Sequence, residues 1–192
     1  MSALGVNAIG LNFYPASPRG LSLGQAADLL TAVDAELQVY ALFVDPSIAE
    51  VEAVLGLGRV DHLQFHGSEP PDFCAAFGLP YMKACRVRDE ATTLAEIDLH
   101  NAAESILLDS YDKQAAGGTG KTFDWQLAAR LVAACDKPVV LAGGLTPGNV
   151  AEAIGAVNPY GVDVSSGVES APGIKDLNKL KLFVEGVRSA RS

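Results

Sequence analysis

The sequence places one carboxylate where a general acid or base is expected. Asp109 directly follows the apolar run 106–108, and an acidic side chain at the end of a buried strand can exchange protons with a bound substrate. The alternative role for such a residue is the N-cap of a helix. Because the next helix is predicted to begin only near 123, we interpret Asp109 as a proton-transfer residue.

A positively charged side chain leaves the first predicted strand. Arg19 ends the loop 14–19, which Pro15 and Pro18 stiffen. The planar guanidinium group of arginine suits a carboxylate or a phosphate. An exposed loop arginine without a ligand is the alternative, and this residue taken alone favours that alternative.

Two histidines lie on the strand predicted at 62–66. The strand predicted at 62–66 puts His62, Gln64 and His66 on one face, because side chains alternate along a strand. Buried polar side chains need partners or a site. Since no third ligand is evident, a metal site is disfavoured, and we predict that His66 orients a substrate or a loop.

Glycines follow the last two predicted strands. Gly143-Gly144 and Ser165-Ser166-Gly167 stand at consecutive strand ends, and Gly173 is predicted to open the final helix. Glycine lets backbone amides approach a ligand, and a helix N-terminus favours an anion. These segments therefore predict a phosphate site of the kind found after the last strands of barrel enzymes.

A further glycine-rich segment, 117–122, contains Lys121-Thr122 but is not a P-loop. The first glycine of that motif would be at 115, where the chain has Ala115. We interpret the segment as a lid or an anion cradle.

The composition excludes several functions. The chain has 192 residues, 49% hydrophobic and 19% charged, which fits one globular domain, and its net charge of −9 disfavours nucleic-acid binding. The three cysteines are widely spaced, which disfavours disulfides and zinc and favours a reducing, cytoplasmic setting. No apolar stretch approaches the roughly 20 residues of a membrane span, so no membrane partner is expected.

Short apolar runs alternate with helix-period segments throughout the chain, which predicts an α/β fold with a parallel sheet. The predicted strands are 7–14, 38–44, 62–66, 81–87, 105–110, 138–142 and 161–165. The predicted helices are 22–34, 47–57, 70–78, 89–102, 123–135, 147–157 and 174–190. Ser22, Ser47 and Thr146 are predicted N-caps, the last followed by a proline at the first helical position.

The number of units favours an incomplete barrel. Seven strand-helix units are predicted, whereas a TIM (βα)8 barrel has eight. Residues 2–5 resemble a last helical turn closed by Gly5, so the first unit is expected to be missing. We therefore predict one barrel-type domain over 1–192, and a doubly wound sheet of seven units is the alternative.

Several motifs together resemble phosphoribosylanthranilate isomerase, an enzyme family of tryptophan biosynthesis, in the family's order. They are NAIGLNFY at 7–14, SPR at 17–19, LQFHG at 63–67, LLD at 107–109, GGTGK at 117–121 with FDW at 123–125, LAGGL at 141–145 and GVDVSSGVE at 161–169. Members of this family are TIM barrels that need no cofactor or metal. The combination of the GGTGK and GVDVSSGVE motifs is specific to the family.

The resemblance implies an Amadori rearrangement of N-(5-phosphoribosyl)anthranilate to 1-(2-carboxyphenylamino)-1-deoxyribulose 5-phosphate. By the same resemblance, Asp109 is the acid that opens the ring and Arg19 contacts the anthranilate carboxylate. The Gly143-Gly144 and Ser165-Ser166-Gly167 loops bind the phosphate. His66 and Asp163 lie in family motifs and are expected to contact substrate. The partner is thus a small phosphorylated molecule, and the protein is expected to be a monomer or a homodimer.

The resemblance also implies a missing group, because the family's base is a cysteine on a first strand of KICG type. None of Cys74, Cys85 and Cys135 matches it, although Cys85, late in its strand, is the nearest substitute. We therefore expect impaired activity. The alternatives are a catalytically silent sugar-phosphate-binding remnant and a histidine-pathway isomerase. The last is disfavoured because paired aspartates and two similar halves are absent from the sequence.

Overall fold

The computed structural model describes residues 4–109 and 124–191. All seven predicted strands are present, and each is equal to its prediction or shorter. They are Ala8–Asn12 (β1), Gln38–Phe43 (β2), His62–Phe65 (β3), Tyr81–Arg86 (β4), Ser105–Asp109 (β5), Val139–Ala142 (β6) and Gly161–Val162 (β7).

The seven predicted helices are also present, each shortened at one or both ends. They are Leu23–Leu30 (α1), Ile48–Leu55 (α2), Pro71–Ala75 (α3), Glu90–Leu99 (α4), Trp125–Ala134 (α5), Val150–Val157 (α6) and Leu177–Ala190 (α7). Among the described residues, no helix is long and apolar enough to cross a membrane.

The strand order decides between the two predicted architectures. The sheet runs β1-β2-β3-β4-β5-β6-β7, with parallel pairing in every recorded register. A doubly wound sheet reverses its strand order at a switch point, whereas a TIM barrel adds strands sequentially. The fold is therefore α/β of the TIM-barrel type with seven strand-helix units, and the doubly wound alternative is wrong.

The chain forms two compact units. The first comprises 1–83 with 102–104, and the second comprises 84–101 with 105–192, each taken over its described residues. The single domain predicted over 1–192 stays a prediction.

Aromatic rings and aliphatic side chains fill the first unit. Phe65 contacts the rings of Phe43, Phe73, Phe77 and Tyr81 at centroid distances of 5.8–6.2 Å. A second cluster joins Leu11, Ala26 and Val39 between β1, β2 and α1. The fully buried side chains of the second unit are mainly aliphatic and include Leu107, Leu108, Leu131, Leu141 and Val150.

Local capping explains where the first helices begin. Ser22 and Ser47 each accept a hydrogen bond from the backbone three residues later, and Gln25 and Glu50 return the contact, which completes two capping boxes. Both predicted caps are confirmed.

The predicted start of α6 is wrong. The helix begins at Val150 after Asn149, and the segment from Thr146 is a turn. The Asn149 side-chain oxygen accepts from the Thr146 backbone N–H at 2.7 Å. The Thr146 N–H is therefore hydrogen-bonded within the turn itself. The N-cap position of α6 is taken by Asn149 and not by Thr146.

The predicted final helix also begins too early. Between β7 and α7 lie a 3-10 turn, Ser166–Val168, and an antiparallel hairpin formed by Glu169–Ala171 (β8) and Ile174–Lys175 (β9). Pro172-Gly173 forms the hairpin turn, and Gly173 has a φ of 81°. Proline followed by glycine is a turn signal, but Gly173 was interpreted as the start of the final helix and not as part of a hairpin turn.

Candidate functional site

The loop that carries Arg19 is held by its own side chains. The Asn12 side chain accepts a hydrogen bond from the Tyr14 N–H at 2.8 Å and donates to the Ser17 hydroxyl at 3.3 Å. Ser17 in turn accepts from the Arg19 N–H at 3.1 Å. Arg19 is half-buried. Asn12 and Ser17 therefore fix the backbone of this loop, from which the Arg19 side chain extends.

His66 follows β3 and is positioned from two sides. Its backbone N–H donates to the Phe43 carbonyl at 2.9 Å, and its ring Nδ1 lies 3.4 Å from the Gln64 amide nitrogen. The other histidine, His62, stands at the opposite end of β3, where it stacks on Tyr40 and lies 3.0 Å from Glu104. The two histidines therefore do not form one site.

A buried ion pair lies under the loop after β3, and the sequence analysis missed it. The Lys83 ammonium is 3.0 Å from the Glu69 carboxylate, with side-chain exposures of 1% and 2%. Lys83 also donates to the carbonyls of Phe65 and Gly67 at 3.3 and 2.6 Å. A lysine inside an apolar strand is the signal that should have predicted a buried partner.

The same loop is tied to the end of β2. Glu69 accepts from the backbone N–H groups of Asp45 and Gly67 at 2.9 and 3.0 Å, and Asp45 accepts from the Ser68 N–H at 2.6 Å. A Cβ at Gly67 would collide with the Asp45 carboxylate. The backbone on either side of His66 is therefore fixed.

In the second unit, Asp109 ends β5 as predicted. It is half-buried and pairs in register with Ala142, the last residue of β6. Its carbonyl accepts from the Val87 N–H at 3.1 Å. The carboxylate is thus carried by a strand end beside the glycine pair that follows β6. The glycine-rich segment 117–122 lies outside the described residues.

The glycine pair after β6 adopts a backbone that side chains disfavour. Gly143 and Gly144 have φ values of 83° and 66°. Asn149 donates to the Gly144 carbonyl at 3.1 Å while it accepts from Thr146. The asparagine side chain therefore holds the turn with Gly144 exposed.

The loop after β7 lies directly on this turn. A Cβ at Gly167 would collide with the Leu145 carbonyl oxygen and come within 3.2 Å of the Thr146 Cα. Ser165 and Ser166 are exposed, and no hydrogen-bond partner of the Gly144, Ser166 or Gly167 amides is recorded among the described residues. The two predicted phosphate loops are therefore brought together, with amides that a ligand can reach.

Asp163 lies between β7 and this loop. Its N–H donates to the Leu141 carbonyl at 2.9 Å, and the residue is exposed.

The predicted contribution of the final helix needs correction. Gly173 is in the hairpin turn, and α7 begins at Leu177 behind Asp176. The Asp176 carboxylate accepts from the Lys179 and Asn178 N–H groups, and these bonds lower its pKa. The N-terminus of α7 is therefore capped by an anion of the chain itself.

The three cysteines lie in three different elements. Cys74 is buried in α3, Cys85 is buried within β4, and Cys135 is the C-cap of α5. Burial raises the pKa of the Cys74 thiol from 9.0 to about 12. No group of three or more metal-binding side chains is found within residues 4–109 and 124–191.

Comparison with known proteins gives a consistent result. Residues 1–186 match the family model described as N-(5'phosphoribosyl)anthranilate (PRA) isomerase. A relative named N-(5'-phosphoribosyl)anthranilate isomerase, from Cellvibrio japonicus, is 47% identical over 182 residues, which are 95% of this chain and 83% of the relative.

Solved structures agree with this match. The phosphoribosylanthranilate isomerase of Thermotoga maritima superposes with a TM-score of 0.88 at 33% identity, over 98% of this chain and 91% of that one. Another structure of such an isomerase, in complex with reduced 1-(o-carboxyphenylamino)-1-deoxyribulose 5-phosphate, has a TM-score of 0.84 at 31% identity, with coverage of 98% and 90%.

Proposed function

The chain belongs to the N-(5'-phosphoribosyl)anthranilate isomerase family, and we propose that Asp109 is its general acid and that loops 143–144 and 165–167 bind the substrate phosphate. The activity of the family is an isomerisation in tryptophan biosynthesis. In this reaction an acid protonates the furanose oxygen and opens the ring to a Schiff base. A base then removes the proton from C2, and the enolamine becomes a ketone.

The position of Asp109 supports the assignment of the acid. Its half-buried carboxylate stands at the end of β5, next to the end of β6 in register. Barrel enzymes gather their chemistry at strand C-termini. A substrate whose phosphate lies on the loop after β6 would present its sugar ring toward this edge, where a proton can be delivered to the ring oxygen.

The observation that carries the phosphate assignment is the contact between the two loops. Gly167 packs on Leu145 so closely that a side chain is excluded, and Gly143 and Gly144 have left-handed backbones. Successive backbone N–H groups in such turns form anion-binding concavities. The Asp176 carboxylate already accepts hydrogen bonds from the N-terminal amides of α7. We therefore propose that the amides of the 3-10 turn at Ser166–Val168, and not those of α7, donate to the phosphate. Asp163 is proposed as a substrate contact at the rim of this site.

Arg19 and His66 are proposed as substrate contacts of the first unit. Arg19 carries the bidentate group that a benzoate carboxylate requires, and its loop is ordered by Asn12 and Ser17. His66 is held by Gln64 and by a rigid backbone, which suits a residue that orients a ligand.

No cysteine of the chain suits the role of the base. The Cys74 thiol is buried with a raised pKa and stays protonated at neutral pH, and Cys85 is buried within β4. We therefore propose that none of the three cysteines removes the C2 proton, the step for which the family resemblance implies a cysteine on a KICG-type strand. The alternative is a catalytically silent sugar-phosphate-binding protein, which would bind the substrate without turning it over even when such a strand and its helix are present.

The biological setting follows from the same proposal. The ligand is a small phosphorylated molecule, no cofactor is required, and a reducing cytoplasm suits the three free cysteines. A single domain that is a monomer or a homodimer is expected, and sedimentation equilibrium measures that state directly.

Binding tests the phosphate assignment without requiring turnover. Titration with the reduced product analogue, followed by NMR, is expected to shift the amide signals of Gly144, Ser166 and Gly167 first. Crystals soaked in phosphate should show the anion on these amides. An anion bound only elsewhere would overturn the assignment.

A further inference from the structure

We propose that Lys175 is a positioning residue of the phosphate site, which sets the direction of the Ser166 amide by holding the Ser165 carbonyl. The inference rests on the proposed phosphate site and adds to it the residue that makes the site selective for phosphate. Lys175 is in β9, outside the two glycine-containing loops.

The contact is direct. The Lys175 ammonium donates to the Ser165 carbonyl at 3.0 Å and to the Glu169 carboxylate at 3.1 Å. Its side chain is 33% exposed, whereas that of Glu169 is only 5% exposed. Lys175 is therefore held between a buried carboxylate on one side and the backbone of the loop on the other.

Peptide geometry turns this contact into control of a donor. The Ser165 carbonyl and the Ser166 N–H belong to one planar trans peptide, in which the C=O and N–H bonds point in opposite directions. An ammonium group that fixes the carbonyl therefore fixes the N–H pointing away from it. No protein partner is recorded for this N–H within the described part of the chain, so it is available to an anion.

Glu169 keeps Lys175 in place. Its carboxylate also accepts from the Gly173 N–H at 3.3 Å, and its backbone carbonyl accepts from the Lys179 ammonium at 2.7 Å. A carboxylate with this little exposure needs a cation and hydrogen-bond donors to stay ionised. The hairpin β8–β9 therefore supports the loop 165–167 through the contact between Lys175 and the Ser165 carbonyl.

Without the ammonium group, the peptide between Ser165 and Ser166 can rotate. Such a rotation changes ψ of Ser165 and φ of Ser166, and the other recorded contact of the Ser165 carbonyl, from the Val168 N–H, is long at 3.5 Å. The ligand would then lose one oriented donor to its phosphate, while contacts to the rest of the ligand are retained. The expected effect is therefore on the preference for a phosphorylated ligand and not on binding in general.

The test compares four proteins by isothermal titration calorimetry: the unchanged chain, Lys175→Met, Lys175→Arg and Lys181→Met. Lys181 is an exposed lysine of α7, so its substitution is the matched control for loss of one positive charge. Each protein is titrated with the reduced product analogue and with the same compound lacking its phosphate.

Lys175→Met is expected to lower the preference for the phosphorylated compound by about tenfold, the scale of one charge-assisted hydrogen bond. The affinity for the dephosphorylated compound should be unchanged, Lys175→Arg should restore most of the preference, and Lys181→Met should behave like the unchanged chain. An undiminished preference in Lys175→Met would overturn the inference, as would an equal loss for both compounds. If the unchanged chain itself shows no preference, the proposed phosphate site fails instead.

Discussion

The Lys83 ammonium lies 3.0 Å from the Glu69 carboxylate, and both side chains are at least 98% buried. All three ammonium donors have acceptors, since Phe65 and Gly67 supply carbonyl oxygens. The pair joins β4 to the loop that follows β3 and carries His66. It therefore belongs to the framework of the site, although it is not among the residues expected to touch substrate.

Removing one partner of this buried ion pair should lower the free energy of unfolding. Lys83→Met leaves the Glu69 carboxylate buried without its cation, and we expect the free energy of unfolding to fall by about 3–5 kcal/mol. Urea denaturation measures the change. Arg130→Met is the matched control, since the Arg130–Glu90 pair is about half exposed and should contribute about 0–1 kcal/mol. If the two substitutions lowered the free energy of unfolding equally, the proposed stabilising role of the buried pair would be contradicted.

The close approach of Gly167 to Leu145 gives a second prediction. Gly167→Ala places a methyl group against the Leu145 carbonyl oxygen, so the loop must move, at a cost of about 1–3 kcal/mol. Binding of inorganic phosphate should be lost at the same time. Gly155→Ala is the control, because open space surrounds that helical glycine and alanine favours a helix. Phosphate binding by Gly167→Ala at the unchanged affinity would contradict the proposed loop geometry.

The fold could be predicted from the sequence because its signals are local and repeated. Apolar runs and the serines before α1 and α2 predicted the seven parallel strands and the seven helices in their order along the chain. The hairpin β8–β9 was missed because the helix-period pattern of 177–190 was extended back to 174, over the strand β9. The start of α6 was misplaced since Asn149, and not Thr146, supplies the side-chain contact of that turn.

The sequence pointed to candidate site residues only at strand ends and glycines, and their roles stay predictions. Asp109 and the two loops follow from position in the chain, since β5, β6 and β7 end at one edge of a parallel sheet. Glu69, Lys83 and Lys175 were missed because their roles depend on partners distant in sequence or on a hairpin that was not predicted. For Lys83 the sequence did contain a usable signal, because a charged residue inside an apolar strand indicates a buried partner.

The buried Cys74 thiol makes stability depend on alkaline pH. Its pKa is about 12 in the folded protein, whereas the ordinary value, which applies to the unfolded chain, is 9.0. The folded state therefore binds more protons between these values, and stability should fall as pH rises from about 9 toward 12. Cys74→Ala should make the decline shallower in urea denaturation series across this range. An identical pH dependence in the two proteins would contradict the raised pKa.

Thiol labelling gives an independent check on the same residue. At pH 8, Cys135, which is partly exposed, should react with a thiol reagent long before Cys74 does.

The most direct measurement of the central claim is steady-state turnover of N-(5-phosphoribosyl)anthranilate by the chain extended with a KICG-type strand and helix, with Asp109 and with Asp109→Asn. The extended chain with Asp109 should turn over the substrate. Asp109→Asn should lower kcat by about 10² to 10⁴, the usual contribution of a general acid, while KM changes little because the proposed phosphate contacts are left unchanged. An unchanged kcat in Asp109→Asn would contradict the assignment of Asp109 as the acid.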